Sequence, residues 1–180
     1  MEAKCVWLNR IAILISLAII ARSAPNINQD DCVFTVYVRT GSIIRGGTDS
    51  IISLSLYDEY GEMTEISNLE SWGGLMAQGH DYFERGNLDI FSGRGPCLSG
   101  EICGMSLSSD GSGPHHGWYC NYVEVTTTGP HTPCAQRQFT VEQWLALDTA
   151  PFELTAVRDY CPYLNLPHRK ELIKIKSTSS

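Results

Sequence analysis

Histidine, acidic and serine side chains in glycine-rich stretches are the residues of this chain that could support acid–base chemistry. His80 precedes Asp81, and His115 precedes His116. Such groups serve a hydrolase only when a nucleophile lies within hydrogen-bonding reach. The chain has no Gly-x-Ser-x-Gly elbow, phosphate loop or His-Glu-x-x-His segment, and nothing ties its loop and strand serines to either pair. The sequence therefore predicts a protein that is not an enzyme, with a small hydrolase of unrecognised site as an alternative.

Aromatic and apolar side chains could instead bind a surface or a ligand. Trp72 follows a polar stretch and stands beside two glycines, Leu75 and Met76. An apolar loop of this kind could enter the interfacial zone of a bilayer, where tryptophan is favoured, so these three residues are predicted to contact a membrane or a partner. The alternative is that the loop folds back and Trp72 closes the end of the core. Five tyrosines offer stacking surfaces for a carbohydrate-binding alternative: Tyr57, Tyr60, Tyr82, Tyr119 and Tyr122.

Residues 1–23 are typical of a signal peptide. Lys4 and Arg10 give a weakly basic start, and the 11 residues from Ile11 to Ala21 are apolar except for one serine. That run is too short to span a bilayer, which needs about 20 residues, although an uncleaved anchor is the alternative. We expect cleavage after Ser23 and a protein that is secreted or lies in the endoplasmic reticulum lumen. Losing three basic residues and one acidic residue changes the net charge from −7 to −9. A chain with this negative charge is a poor binder of nucleic acid. It would also be repelled by an anionic lipid surface unless cations bridge the two.

The cysteines predict disulfide bonds. Six cysteines remain after cleavage, and an even number in an exported chain is typical of disulfides, whereas no Cys-x-x-Cys pair indicates zinc. Six cysteines allow 15 pairings, and the sequence alone does not choose among them. The arrangement favoured here joins Cys32 to Cys161, because these two bracket the domain and would lock its ends together. A short loop between Cys97 and Cys103 and a bond between Cys120 and Cys134 complete it.

Alternating apolar and polar residues between turn signals predict strands and no long helix. The alternation is clearest over residues 34–39 and 52–56. Trp118 and Cys120 share one face of a longer strand, whereas Val123 and Val125 share the other, so burying all four requires a β-bulge between them. Further strands are predicted at 64–67, 88–90, 102–107, 139–146 and 153–157, with loops at 92–100 and 110–117, a helical turn as the alternative over 142–147, and Asp89 facing away from Leu88 and Ile90.

Several short motifs occur in order along the chain. They are Thr40-Gly41, Gly47-Thr48-Asp49 before the strand of Ile52, Phe83-x-Arg85-Gly86 followed by Asp89 and Phe91, Trp118 before Val123 and Val125, and Phe139 before Trp144-Leu145. Together they cover about residues 32–161 and resemble the PLAT family, named for polycystin-1, lipoxygenase and alpha-toxin. With its signal peptide and six cysteines, the chain is similar to small stand-alone plant members of the embryo-specific protein 3 type. The resemblance implies an all-β, antiparallel, disulfide-bonded eight-stranded β-sandwich of two four-stranded sheets, here over residues 24–161, before a basic, disordered tail over 162–180.

The resemblance also implies a candidate calcium site, because some PLAT members bind calcium in loops at one end of the sandwich. The matching positions lie in two loops: Gly47, Thr48, Asp49, Asp81 and Glu84. Calcium takes 6 to 8 oxygen ligands, which carboxylates and waters supply. His116 and Gly117 stand where calcium-binding relatives carry acidic residues, so one ligand group is missing, and the alternative is that Asp49 caps its own turn. Calcium is thus expected as an optional ligand and not as a required cofactor, and Arg85 is expected to be structural, paired with Asp89, Glu84 or loop carbonyls.

The sequence therefore predicts a monomeric, non-enzymatic protein of the secretory pathway that binds a membrane lipid surface or a protein partner. No nucleic acid is expected as a partner. The resemblance implies a setting in plant stress response or in embryo and seed development.

Overall fold

The computed structural model describes residues 31–130 and 132–162, which form eight strands and one short helix. The predicted signal peptide, and the predicted tail beyond Pro162, lie outside the described residues. No helix among the described residues is long and apolar enough to cross a membrane. The elements are β1 (Asp31–Thr40), β2 (Ile52–Asp58), β3 (Met63–Ile66), α1 (Leu69–Gly73), β4 (Leu88–Pro96), β5 (Ile102–Ser109), β6 (Trp118–Gly129), β7 (Thr132–Leu145) and β8 (Thr155–Asp159).

The strands form two four-stranded sheets with the orders β4-β1-β6-β7 and β3-β2-β5-β8. All neighbouring strands are antiparallel. The predicted fold class, an antiparallel eight-stranded β-sandwich, is therefore confirmed. Its core is built by alternate residues of each strand, because successive side chains of a strand point to opposite faces. In β1, for example, Phe34, Val36 and Val38 are buried.

The predicted bulge in β6 is confirmed. The register of β6 on β7 shifts between Cys120 and Tyr122, and Trp118, Cys120, Val123 and Val125 all point into the core. Trp118 is fully buried, and its indole N–H donates to the buried Thr40 hydroxyl at 3.0 Å. A buried indole needs such a partner, and this bond joins the end of β1 to the start of β6.

β4 corrects two predictions. Residues 92–96 are strand and not loop, because β4 pairs with β1 along its whole length as far as Pro96 opposite Asp31. The strand also faces the other way: Asp89 is buried, whereas Leu88 is exposed. The carboxylate of Asp89 points inward because it accepts hydrogen bonds from the Phe83 backbone N–H at 2.8 Å and from His80 Nε2 at 2.6 Å.

Two shorter segments also differ from the sequence-based prediction. The glycine-rich stretch around Trp72 contains the helix α1, which begins after Asn68, whose side chain accepts a hydrogen bond from the Ser71 N–H at 3.0 Å. This is the usual N-cap arrangement. The proposed helical turn after residue 142 is absent, because β7 continues to Leu145. Glu142 adopts a φ of 45°, in line with the register shift of β6 on β7.

The disulfide bonds join Cys32 to Cys97 and Cys103 to Cys161, so the predicted pairing is wrong. Cys32 is the second residue of β1, and Cys97 directly follows β4, the strand that pairs with β1. Cys103 and Cys161 are adjacent because β5 pairs with β8. Cys32 and Cys161 do not meet because β1 and β8 belong to different sheets. The third predicted bond is absent: Cys120 is free and points into the core, whereas Cys134 is free and exposed.

Candidate calcium site at the loop end of the sandwich

Four loops meet at one end of the sandwich, which we call the loop end. Strands β1, β5 and β7 finish there, and their antiparallel partners β2, β4, β6 and β8 begin there. The loop end therefore carries residues 41–51, 74–87, 110–117 and 146–154. All residues of the predicted calcium site lie in the first two of these loops.

The three predicted carboxylates come together at the loop end. One oxygen from each of Asp49, Asp81 and Glu84 lies within 4.8 Å of the others. Calcium–oxygen distances are about 2.3–2.6 Å, so two ligands on opposite sides of one ion stand about 5 Å apart. The three side chains can therefore bind the same ion. Asp49 and Asp81 are exposed and Glu84 is half-buried, which leaves room for water to complete the coordination.

Gly47 allows the two loops to approach. A Cβ at this position would lie 2.9 Å from Glu84 Oε2 and 2.8 Å from the Arg85 backbone nitrogen. Any larger residue would push these groups away, and the Thr48 N–H secures the contact by donating to the Phe83 carbonyl at 3.3 Å. The absent side chain of Gly47 is thus what makes room for the carboxylate of Glu84 beside Asp49.

The side chain of Thr48, which was predicted as part of the calcium site, is engaged in contacts between loops. It is buried, its hydroxyl donates to the His115 carbonyl at 2.8 Å, and the same oxygen accepts the Ser50 N–H at 3.1 Å. The hydroxyl of Thr48 therefore connects the loop of residues 41–51 to that of residues 110–117. This is a positioning role.

His115 is a neighbour of the site that the sequence did not indicate. Its Nδ1 lies 3.0 Å from Asp49 Oδ2, and its backbone N–H reaches the same oxygen at 3.3 Å. Asp49 therefore caps the backbone of the third loop and not its own turn. Both contacts fall on Oδ2, and no hydrogen bond within the described residues falls on Oδ1. The loop that lacks the family's acidic residues thus orients a carboxylate of the first loop.

Arg85 does not have the structural partners that were predicted. It is exposed, and within residues 31–130 and 132–162 it makes no ion pair. The carboxylate of Asp89 is taken by His80 and the backbone of Phe83 instead. His80 therefore helps to hold the loop before β4 in place through its contact with Asp89. Two of the loop serines have acidic partners: the hydroxyl of Ser99 donates to Glu62, and the hydroxyl of Ser112 donates to Asp110.

The predicted apolar contact surface is only partly exposed. Trp72 is half-buried and packs against the core, where its ring occupies the space above Gly93 of β4. Met76 is also half-buried, and its N–H donates to the Tyr82 hydroxyl at 3.0 Å. Leu75 is 60% exposed. The alternative in which the loop folds back thus describes Trp72. Of the five tyrosines considered for sugar binding, only Tyr60 is largely exposed.

A more exposed apolar group lies in the loop that contains Gly47. Ile44 is 80% exposed and Ile43 is 39% exposed. The backbone of this loop is closed by the Gly46 N–H, which donates to the Ile43 carbonyl at 3.1 Å. Two consecutive isoleucines between Gly41 and Gly46, in a stretch without strand alternation, are the sequence signal that could have revealed this feature.

Known proteins are similar to this chain in sequence. A model of the PLAT/LH2 domain family matches residues 34–158. PLAT domain-containing protein 2 of Arabidopsis thaliana is 56% identical over 152 residues, covering 84% of this chain and 83% of that protein. PLAT domain-containing protein 1 of the same plant is 58% identical over 149 residues, covering 83% and 82%.

Solved lipoxygenase structures contain the same sandwich. Coral 8R-lipoxygenase, described as activated by calcium via a C2-like domain, superposes with a TM-score of 0.54 at 18% identity, covering 80% of this chain and 20% of that one. A calcium-dependent 11R-lipoxygenase has a TM-score of 0.50 at 22% identity, covering 81% and 19%. At such identities the similarity concerns the fold. The present chain spans about a fifth of each lipoxygenase.

Proposed function

Because the chain belongs to the PLAT/LH2 domain family, we propose that it is a non-enzymatic module of the secretory pathway that binds a membrane lipid surface with the help of calcium. The observation that carries the proposal is the convergence of Asp49, Asp81 and Glu84 within 4.8 Å at the loop end. The exposed Ile44 lies in the loop of residues 41–51, which also carries Asp49. The predicted signal peptide is the basis for the secretory pathway, and the resemblance alone suggests plant stress response or embryo development.

The negative charges of the three carboxylates favour a bound cation. Like charges about 4 Å apart repel by about 1 kcal/mol in water and more near a protein surface. The ionised carboxylates of Asp49, Asp81 and Glu84 therefore repel one another unless positive charge lies between them. Bound calcium would supply that charge. The calcium activation described for coral 8R-lipoxygenase through its C2-like domain supports the same interpretation.

The apolar part of the proposal rests on Ile44. Full burial of an isoleucine side chain contributes about 1.5–3 kcal/mol, which alone gives weak attachment to a membrane. Calcium at the neighbouring carboxylates would add two positive charges where the protein faces the lipid and so reduce the local repulsion between those carboxylates and anionic lipid. Neither contribution suffices alone, so we expect binding that is reversible and depends on calcium.

Co-sedimentation with vesicles of phosphatidylcholine and phosphatidylserine tests the proposal, with calcium or with chelator. We expect the oxidised protein to pellet only with calcium. Asp49→Asn and Ile44→Asn should each abolish pelleting. Glu101→Gln and Met63→Gln are the matched controls, because they change an exposed carboxylate and a 42% exposed apolar side chain outside the loop end.

The outcomes separate the parts of the proposal. Absence of pelleting in both conditions would overturn the lipid proposal and leave a protein adaptor as the leading function. Equal pelleting with calcium and with chelator would overturn the role of the carboxylates. Loss of pelleting in the controls as well would show that the effect is not specific to the loop end.

A further inference from the structure

An open groove lies next to the carboxylate cluster at the loop end. It has a volume of about 670 Å³ and is lined by residues of all four loops and by the end of β7. A volume of 300–1,000 Å³ is typical of sites for small molecules and cofactors. Glu84 belongs both to the cluster and to the groove wall, so a ligand in the groove lies beside the proposed ion.

Two arginines on different loops line this groove. The described residues contain six arginines and no lysine, and two of the six, Arg45 and Arg85, stand here. Both are exposed, and within the described part of the chain neither donates a hydrogen bond or makes an ion pair. Arg158 contrasts with them, because its guanidinium donates to the carbonyls of Thr140 and Val141. The groove therefore holds two guanidinium groups whose donors are free.

The backbone of Arg45 supports a functional interpretation. Its φ is 63°, in the left-handed region that side chains other than those of glycine, asparagine and aspartate rarely adopt. Such conformations cost of order 1–3 kcal/mol and cluster at ligand sites. Arg45 lies between Ile44 and Gly46, where glycine would adopt this conformation without strain. An arginine is thus held in a position whose backbone favours another residue.

Two acidic residues, Glu84 and Asp148, also line the groove. Glu84 belongs to the carboxylate cluster, and Asp148 Oδ2 lies 3.5 Å from His116 Nε2. His115 is directed to Asp49. Trp144 adds a flat apolar wall, half-buried and packed edge-on against Tyr119 at 5.5 Å between ring centres. With a divalent cation at the cluster, the free charge of the groove is positive.

We propose that this groove binds the phosphomonoester headgroup of an anionic lipid, held by the guanidinium groups of Arg45 and Arg85 beside the calcium site. The inference rests on the proposed function and deepens it by naming the lipid class. A phosphomonoester carries a charge of about −1.5 to −2 and three acceptor oxygens. It can therefore satisfy two guanidinium forks at once, whereas a diester phosphate carries a single charge. Guanidinium geometry matches phosphate oxygens in pairs.

The test compares vesicles of phosphatidylcholine that contain phosphatidic acid with vesicles that contain phosphatidylserine at equal surface charge, in calcium. We expect the protein to bind vesicles with phosphatidic acid more tightly. Arg45→Gln and Arg85→Gln should each lower the ratio of the two affinities by about tenfold or more, as expected when a hydrogen bond to a charged group is lost. Arg94→Gln is the matched control, because Arg94 is exposed on β4 outside the loop end. Thermal unfolding with calcium should be unchanged in all three variants.

The remaining outcomes distinguish a lipid headgroup from a soluble phosphate ligand, and the groove from lipid binding in general. Equal affinity for both vesicles, unaffected by Arg45→Gln or Arg85→Gln, would overturn the inference while the proposed lipid binding stands. If the protein binds neither kind of vesicle, both the proposed lipid binding and the lipid headgroup as the ligand of the groove are refuted. Calorimetry with inositol hexakisphosphate then decides the groove itself: binding that both variants weaken supports a phosphate site with a soluble ligand, and no binding overturns it.

Discussion

Gly47→Ala is the substitution that tests the geometry of the calcium site most directly. The new Cβ would lie 2.8 Å from the Arg85 backbone nitrogen and 3.1 Å from Glu84 Cα. Side chains can rotate away from such a contact, but backbone atoms cannot, so the two loops must separate. Overpacking of this kind typically costs about 1–3 kcal/mol. For a chain of this size each kcal/mol lowers Tm by about 2–4 °C, so we expect a decrease of roughly 2–12 °C.

The same substitution should uncouple the carboxylates. A ligand at one hundred times its Kd stabilises a protein by about 2.7 kcal/mol, which raises Tm by roughly 5–11 °C. The wild type should show a rise of this order with calcium, and Gly47→Ala should lose most of it, because Glu84 moves away from Asp49. Gly117→Ala is the control, since its Cβ would meet its nearest neighbour, Ala146, at an ordinary 3.5 Å.

Differential scanning fluorimetry with calcium and with chelator measures both effects. A Gly47→Ala protein with the Tm and the calcium response of Gly117→Ala would refute the described loop contact. Destabilisation with an intact calcium response would show that Gly47 serves only the packing of the loops. Absence of a calcium response in the wild type would remove the calcium site itself.

Three further predictions concern the rest of the fold. Trp118→Phe should lower the free energy of unfolding by about 1–3 kcal/mol in denaturant titrations, because it leaves the buried threonine hydroxyl at the end of β1 without its indole donor; an unchanged value would contradict that bond. Iodoacetamide should modify Cys134 in the native protein and Cys120 only after unfolding, since burial raises the pKa of the Cys120 thiol; mass spectrometry of labelled peptides decides. Slight desolvation of the exposed Asp110 opposes its ionisation, but hydrogen bonds chiefly from Ser112 outweigh this effect and lower the carboxyl pKa below 3.8. Its stabilising contribution is therefore present above pH 3.8 and is lost as pH falls through the lower folded-state value. Asp110→Asn should thus reduce Tm at neutral pH, and the difference from wild type should shrink in acid; a constant difference would refute this.

Local periodicity correctly predicted the buried faces of β1, β2 and β6. A strand alternates with a period of two, so the buried faces of β1 and β2 follow from the residues themselves. The bulge in β6 was predictable for the same reason, because only a change of phase buries both Cys120 and Val123. These predictions needed no knowledge of neighbouring strands.

Features that depend on non-local neighbours were not predictable in this way. Asp89 faces the core because a loop supplies His80 and a backbone N–H as its partners, and no pattern within β4 contains that information. The disulfide pairing likewise depends on which strands are adjacent. Cys32 bonds to Cys97 because β1 neighbours β4, whereas the ends of the domain belong to different sheets.

The candidate site divides along the same line. The resemblance identified three carboxylates that the structure brings together, Asp49, Asp81 and Glu84. It also counted Thr48 as a ligand, although the hydroxyl is used in a contact between loops. His115 was not indicated because its role comes from the meeting of two loops far apart in sequence. Ligand type can thus be inferred from sequence, but the availability of each ligand atom depends on tertiary contacts.

On the proposed function, the charges of the loop end would control attachment as well as assist it. A charged residue near a membrane surface of opposite sign contributes about 1 kcal/mol, so three carboxylates facing anionic lipid oppose binding by a few kcal/mol. Insertion of Ile44 contributes about 1.5–3 kcal/mol in the other direction, and without a cation the two effects approximately cancel. A divalent cation at Asp49, Asp81 and Glu84 removes most of the repulsion and leaves the insertion free energy, together with that of the arginine groove, to determine binding. The acidic character of the chain is therefore compatible with a membrane role, because it makes attachment depend on the cation.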